Sequence, residues 1–198
     1  MRMSSFPDML KTERLVLRCY RSEDALCILH FAQQNRDQLI REFPQIAGLQ
    51  NLEAALFFSA EKREQSHAAK NFCYGIWRKH RNEQIGQIQV KNIAWEIPSA
   101  ELSYFISRSM QRQGYASDSV KRIPCLAFQE LKVQRVFVRI LPSNYESFYF
   151  AKKLGFQGEG LLRSAFRCGF GELHDVHYLS LTIEDYCRHN PRRNEVGD

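Results

Sequence analysis

The chain has six cysteines, Cys19, Cys27, Cys73, Cys125, Cys168 and Cys187, but no C-x-x-C pair and no cysteine–histidine spacing of the zinc-ligating kind. A metal site or a disulfide framework is therefore not expected, and the thiols read as reduced. No apolar run approaches the length of a bilayer span, and residues 1–10 hold no sustained apolar segment of a secretion signal. These absences argue against a membrane protein and point to the cytoplasm. Also missing are internal repeats, a linker, a block of one charge sign, and the interleaved aromatic and basic residues of an RNA-binding surface, so direct nucleic-acid binding is not expected.

What is present fits one ordinary folding unit. With 198 residues, 44% hydrophobic and 25% charged, the chain can bury one core and is short for two. Residues 1–198 are read as one domain, with a core over 12–185 and a polar tail over 186–198 that is expected to fray. The formal net charge of +6 favours anionic partners, such as a phosphate-rich ligand or an RNA-associated substrate, but also serves simple solubility.

Residues 13–20, ERLVLRCY, alternate with a period of two and predict a strand with Leu15, Leu17 and Cys19 on one face. Ser22 then precedes two acids and an apolar pattern, which predicts a capped helix burying Ala25, Leu26, Leu29 and Ala32. After an irregular stretch, FPQIAGLQ, Asn51 is placed to cap a second helix running through Leu56, Phe57 and Ala60 toward His67. Strand-like runs at 71–78, 84–94 and 100–107, separated by polar turns and Pro98, predict an antiparallel meander. Residues 117–131 predict a helix kinked at Pro124, 135–141 a strand, 146–154 a helix and 176–183 a final strand, with room for one more.

Between the third meander strand and the helix that follows lies Gln111-Arg112-Gln113-Gly114-Tyr115-Ala116. A helix N-terminus offers unpaired N–H groups and a positive dipole end, which suit phosphate, and Gly114 and Ala116 would allow close approach, with Arg108 and Arg112 on the rim. An ordinary helix start would look the same. Further motifs narrow the choice. After RVFVRIL come Asn144-Tyr145-Glu146-Ser147, then Leu154-Gly155-Phe156, Glu159-Gly160 and Leu162-Arg163, while TERLVLR opens the chain and ELSYF covers 101–105. This series resembles the GNAT superfamily of N-acetyltransferases, in its RimJ/RimL-type branch that acetylates the N-termini of ribosomal proteins.

The resemblance implies an α/β (α+β) fold: a mixed, mostly antiparallel central sheet flanked by helices, with splayed strands forming an acetyl-CoA cleft. It implies direct attack of a primary amine on the thioester, with no covalent enzyme intermediate, no metal, and no catalytic work for Cys125. Backbone groups of Phe105, Ile106 and Ser107 would bind pantetheine and polarise the thioester carbonyl. The loop Gln111, Arg112, Gln113, Gly114, Tyr115, Ala116 and Ser117 would hold the pyrophosphate. Asn144 would bond the pantetheine arm or cap the next helix, and Ser147 would protonate the leaving thiolate. Where many members carry a tyrosine acid this chain has Ala151, and Tyr149 is out of register to replace it. Glu101 is the first candidate for the base, although a structural role fits it equally. Phe166 stands where some of the branch have a glutamate, Asp175 reads as a structural anchor, and His174 and His177 fall on opposite strand faces and so form no metal pair.

The implied partners are acetyl-CoA and an amine acceptor entering between the first two helices and the last hairpin. A protein N-terminus, such as that of a ribosomal protein, leads the alternatives, because an α-amine titrating near about 8 needs little help from a base. A small amine (aminoglycoside, polyamine or amino acid derivative) and a silent acyl-CoA sensor are the competing readings. The protein is expected to be a monomer or homodimer.

Overall fold

A computed structural model describes residues 6–81 and 83–190. In chain order it contains β1 (Met9–Lys11), β2 (Leu15–Cys19), a 3-10 turn (Ser22–Asp24), α1 (Ala25–Gln34), α2 (Arg36–Glu42), α3 (Pro44–Ala47), α4 (Leu52–His67), β3 (Phe72–Arg78), β4 (Glu83–Ala94) and β5 (Ser99–Ile106). The second half contains a short 3-10 turn (Arg108–Met110), α5 (Tyr115–Val120), α6 (Ile123–Glu130), β6 (Arg135–Ile140), α7 (Tyr145–Lys153), β7 (Gln157–Arg167), β8 (Leu173–Thr182) and α8 (Ile183–His189).

All eight strands form one sheet in the order β1-β2-β3-β4-β5-β6-β8-β7. Neighbours pair antiparallel except β5 and β6, which run parallel and pair only at Ser99↔Arg135, Ala100↔Val136 and Glu101↔Phe137. Beyond those three pairs the strands separate. β5 stays with β4 as far as Ile106, while β6 pairs with β8 along its whole length. The expected mixed sheet and splay are both present.

Helices cover both faces, which is why β3 is buried along nearly its whole length rather than alternating. One core gathers Leu15, Ile76, Ile88, Leu102, Ile123 and Phe156. The other gathers Tyr20, Ile28, Phe31, Phe58, Trp77 and Phe105 beneath α1 to α4. Among the described residues no helix is long and apolar enough to cross a membrane.

Several sequence expectations need correction. β1 was not foreseen, being three residues long. α1 buries Ala25, Ile28, Phe31 and Ala32 and leaves Leu26 66% exposed, because two apolar stripes compete and the one with Phe31 buries more area. Its start is organised by Asp24, which accepts the Arg21 N–H at 2.9 Å, and not by Ser22. Asn51 does cap α4 through Ala54 N–H at 2.9 Å, but Ala55, Phe58, Ser59 and Lys62 face inward while Leu56 and Phe57 face out. The stretch read as irregular holds α3, and α2 precedes it. Pro124 kinks no helix: the chain ends α5 and begins α6, with Pro124 in the first turn, where its missing N–H has no intrahelical partner to lose. Of the tail, residues 186–189 belong to α8 and 191–198 lie outside the described residues.

Arg18 joins strand to helix: its guanidinium grips Asp24 with Nη1–Oδ2 at 2.5 Å and Nη2–Oδ1 at 2.8 Å, and lies 4.4 Å above the Trp77 ring. Asp24→Ala would leave the largely buried guanidinium without its counter-charge. A loss of about 3 kcal/mol is expected in urea unfolding, and a smaller one when Arg18→Met accompanies Asp24→Leu.

Candidate active site

Where β5 and β6 part, a cleft of about 1220 Å³ opens. β5 leads through the 3-10 turn and a loop into α5, and β6 leads into α7, so both helices start at the gap. Gly114, at φ +83°, is the N-cap of α5, and the left-handed conformation there favours glycine. The first-turn N–H groups of α5 have no intrahelical acceptors and are available at the cleft mouth.

The loop is anchored from β2's side of the sheet by Arg14, which donates from Nη1 to the Gln113 carbonyl at 3.0 Å and from Nε to Asp118 Oδ2 at 2.7 Å. The same guanidinium lies 4.6 Å over the Tyr115 ring. Part of the opening TERLVLR string thus has a direct physical role in holding the loop. Arg112, expected to face phosphate, pairs across the mouth with Glu146 at 2.6 Å and so tethers the loop to α7.

Of the residues singled out from sequence, Phe105, Ile106, Gln111, Arg112, Gly114, Ala116, Ser117, Asn144 and Ser147 line the cleft. The others do not. Tyr115 is buried under Arg14. Gln113 offers its carbonyl to Arg14 and turns its amide to Ser109 O at 3.0 Å. Ser107 is buried and donates its N–H to Ile85 O at 2.8 Å, on the β4 side. Because backbone groups alternate sides along a strand, Phe105 also turns its peptide groups to β4, while Tyr104 and Ile106 turn theirs to the gap. Of the expected backbone trio only Ile106 fits, and its carbonyl accepts Gln111 Nε2 at 3.0 Å.

Asn144 combines two tasks. Its Oδ1 accepts the Ser147 N–H at 3.1 Å as the α7 cap, and its Nδ2 points to Glu42 at 3.2 and 3.4 Å. Ser147 is half-buried, one turn into α7. Beside it stands Tyr104, packed edge-on against Phe150 at 5.7 Å. Burial pushes the Tyr104 phenol up to about 12, opposed by contact with the Ser147 side chain and reinforced by the nearby Glu42 charge. Burial likewise raises the pKa of Glu42 above the ordinary carboxylate range, opposed by the Asn144 hydrogen bond and by Arg41.

Sequence reading missed Tyr104 and Glu42. Tyr104 was within the quoted ELSYF string and shares the period-two face of Leu102 and Ile106. No sequence signal marks Glu42, which reaches the site only through the packing of α2.

Glu101 is not part of the cleft wall. It is 3% exposed, accepts Asn92 Nδ2 at 2.6 Å and Arg139 Nη2 at 3.0 Å, and has Lys91 Nζ at 3.7 Å. With its oxygens taken by these donors, it presents no free oxygen to the cleft. Its partners Lys91 and Asn92 belong instead to a second chamber of about 420 Å³, which shares Glu42 and Phe43 with the cleft and carries Phe166 and Arg167 from the last hairpin. Ala151 is buried in the core. Tyr149 stands 70% exposed at the cleft's outer wall, and Asp175 anchors the hairpin by accepting Ser164 N–H at 2.8 Å. His174 contacts Glu172 and His177 packs on Phe148, so the two histidines do not meet. The fold does gather Cys168, Glu172 and His174 with ligand atoms within 4.8 Å of one another, a grouping the sequence reading did not find. All six cysteines are unpaired.

Residues 14–157 match the family described as acetyltransferase (GNAT) domain. The chain is 32% identical over 163 residues to the uncharacterized N-acetyltransferase YoaA of Bacillus subtilis (strain 168), covering 80% of this chain and 87% of that protein. Among solved structures it resembles the microcin C7 self-immunity acetyltransferase MccE in complex with acetyl-CoA and AMP, with TM-score 0.82, 19% identity and coverage of 91% and 99%. It also resembles the ribosomal-protein-S5-alanine acetyltransferase from Vibrio fischeri, with TM-score 0.79, 19% identity and coverage of 90% and 98%. At these identities the two structures establish the fold.

The anchoring by Arg14 has a measurable consequence. Arg14→Ala is expected to lower global stability by less than about 1 kcal/mol, since the ion pair is partly exposed, yet to raise amide hydrogen exchange at 114–118 by about tenfold. Unchanged exchange there would mean that the loop holds itself.

Proposed function

The chain belongs to the GNAT acetyltransferase family, and from that premise we propose that it moves the acetyl group of acetyl-CoA to a primary amine, the α-amine of a protein N-terminus such as a ribosomal protein's. The observation that carries the reading is that two spaces lie side by side and share one wall, Glu42 and Phe43. The long cleft takes the cosubstrate, and the chamber under α4 and the last hairpin takes the acceptor. A small amine also fits 420 Å³, and MccE is a structural neighbour solved with AMP, so a small-molecule acceptor is the second reading.

At the cleft mouth the first-turn N–H groups of α5 receive the pyrophosphate. Deeper in, the peptide groups of Tyr104 and Ile106 that face the gap bond the pantetheine arm and polarise the thioester carbonyl. The acceptor nitrogen attacks that carbon, the C–N bond forms, and the C–S bond breaks. Glu42 takes the proton released by nitrogen, and its raised pKa suits it to that task better than an ordinary carboxylate. Ser147 gives its proton to the departing thiolate and is resupplied by Tyr104, which regains its proton from Glu42. One proton thus travels from nitrogen to sulfur, leaving an amide and a free thiol. Asn144 holds Glu42 and the start of α7 in place together.

Free-thiol release from acetyl-CoA, tested with N-terminal peptides, polyamines and aminoglycosides, checks the reading. Ser147→Ala and Glu42→Gln are each expected to lower kcat by about 100-fold, with coenzyme A binding retained. The Glu42 carboxylate must be ionised to act, so wild-type kcat/KM falls as pH drops through its raised pKa, and Glu42→Gln loses that limb. Gly114→Trp is expected to abolish coenzyme A binding. Binding of coenzyme A without thiol release for any acceptor would identify a sensor instead.

A further inference from the structure

The charges lining the second chamber are unevenly placed. Among the described residues its one lining carboxylate, Glu42, stands at the end shared with the cosubstrate cleft, while Lys62, Lys70, Lys91 and Arg167 line the rest. The negative charge beneath them does not match this number: Glu101 serves both Lys91 and Arg139. Among the described residues neither Lys70 nor Arg167 has an ion-pair partner, and Arg167 donates to the Gly171 carbonyl at 2.7 Å.

Lys62 is the decisive residue. It lies on the inward stripe of α4, 3% exposed, and its Nζ is held at 3.0 Å by Gln45 Oε1 and at 3.4 Å by Gln65 Oε1. The nearest carboxylate, Glu61, is 3.7 Å away on the partly exposed side. An ammonium is seldom buried without a close counter-charge. Here two neutral amides supply its hydrogen bonds, Glu61 pairs with it at 3.7 Å and the Phe58 ring lies 5.3 Å away, so an anion entering the cavity would complete a partly met set of acceptors. Asn71 Oδ1, on the same wall, is buried without a hydrogen-bond donor and suits an incoming N–H.

We propose that the acceptor of this enzyme is a primary amine carrying a carboxylate, seated with its amine toward Glu42 and its carboxylate toward Lys62 and Lys70. The inference rests on the acetyl-transfer reading and narrows its substrate class. A purely cationic amine meets the same lysines unfavourably, and the protein's charge of +6 adds to that at long range. The carboxylate can come from an acidic residue near a peptide N-terminus or from a small amino acid.

The test compares acetyl-CoA-dependent thiol release for matched peptides Ser-Glu-Ala-Ala, Ser-Gln-Ala-Ala and Ser-Lys-Ala-Ala, all C-terminally amidated, beside free glutamate, 4-aminobutyrate and spermidine. A kcat/KM at least about tenfold higher for the glutamate peptide than for the glutamine peptide, with the lysine peptide lower still, supports the peptide source. The same advantage confined to glutamate or 4-aminobutyrate supports the small-molecule source. Lys62→Met and the exposed-rim variant Lys70→Glu should each erase the preference, and the second keeps the test valid if the first fails to fold. Equal rates across the three peptides and the small amines, or a preference for spermidine, would overturn the inference while leaving acetyl transfer intact. Should no acceptor support thiol release, the function itself falls. Calorimetry of the same compounds on the coenzyme A-saturated protein then decides the site alone: preferential binding of a carboxylated amine upholds it, and indifference to charge refutes it.

Discussion

Parallel pairing between β5 and β6 ends after three residue pairs, and the cleft opens where it ends. Each strand is satisfied on its far side, β5 by β4 and β6 by β8, so neither is free to close the gap without giving up an existing ladder. The edge left on β5 exposes peptide groups that an interior would have to satisfy at a cost. Gln111 covers one of them, the Ile106 carbonyl. The rest form a polar strip that an extended, amide-bearing cosubstrate can complete as an added strand would. Because the helices following both strands begin at the same gap, their N-termini are brought to it by connectivity alone.

Charge is divided between two carboxylates, of which sequence reading singled out Glu101 and missed Glu42. Glu101 is surrounded by Arg139, Lys91 and Asn92, which tie it to the sheet. Glu42 has an amide as its closest partner and is otherwise desolvated, which raises its pKa. One arrangement stiffens the floor of a cavity. The other leaves a carboxylate able to take up a proton. Their difference arises from neighbours contributed by β4, β6 and α7, and residue type carries no trace of it.

Anchoring follows a related logic. Arg14, just before β2, and Arg18, within it, each fix a different helical segment to the sheet. Arg14 holds the loop before α5 and Arg18 holds the start of α1. Both combine carboxylate pairing with an aromatic face, which the planar guanidinium can use and a lysine could not match. The loop at the cleft mouth is therefore supported from across the sheet and is not left to its own six-residue helix.

The sequence by itself determined the elements with strong local period and the chemistry tied to short strings. The meander, β6 and α7, the Asn51 and Asn144 caps, the glycine at the start of α5 and the serine one turn into α7 were all legible, because strand alternation, capping and left-handed glycine are properties of neighbours in the chain. Only the tertiary structure decided which of two apolar stripes α1 and α4 bury, since a helix with competing faces is oriented by what packs on it. The same holds for the break at Pro124, which became a helix start because a second axis was available to pack on the sheet. The desolvated carboxylate and the charges of the second chamber are products of long-range assembly: Glu42 meets Asn144 across 102 positions, and Lys62 finds Gln45 17 positions back. Desolvation and charge pairing depend on the full set of neighbours in three dimensions, so no local pattern could have announced them.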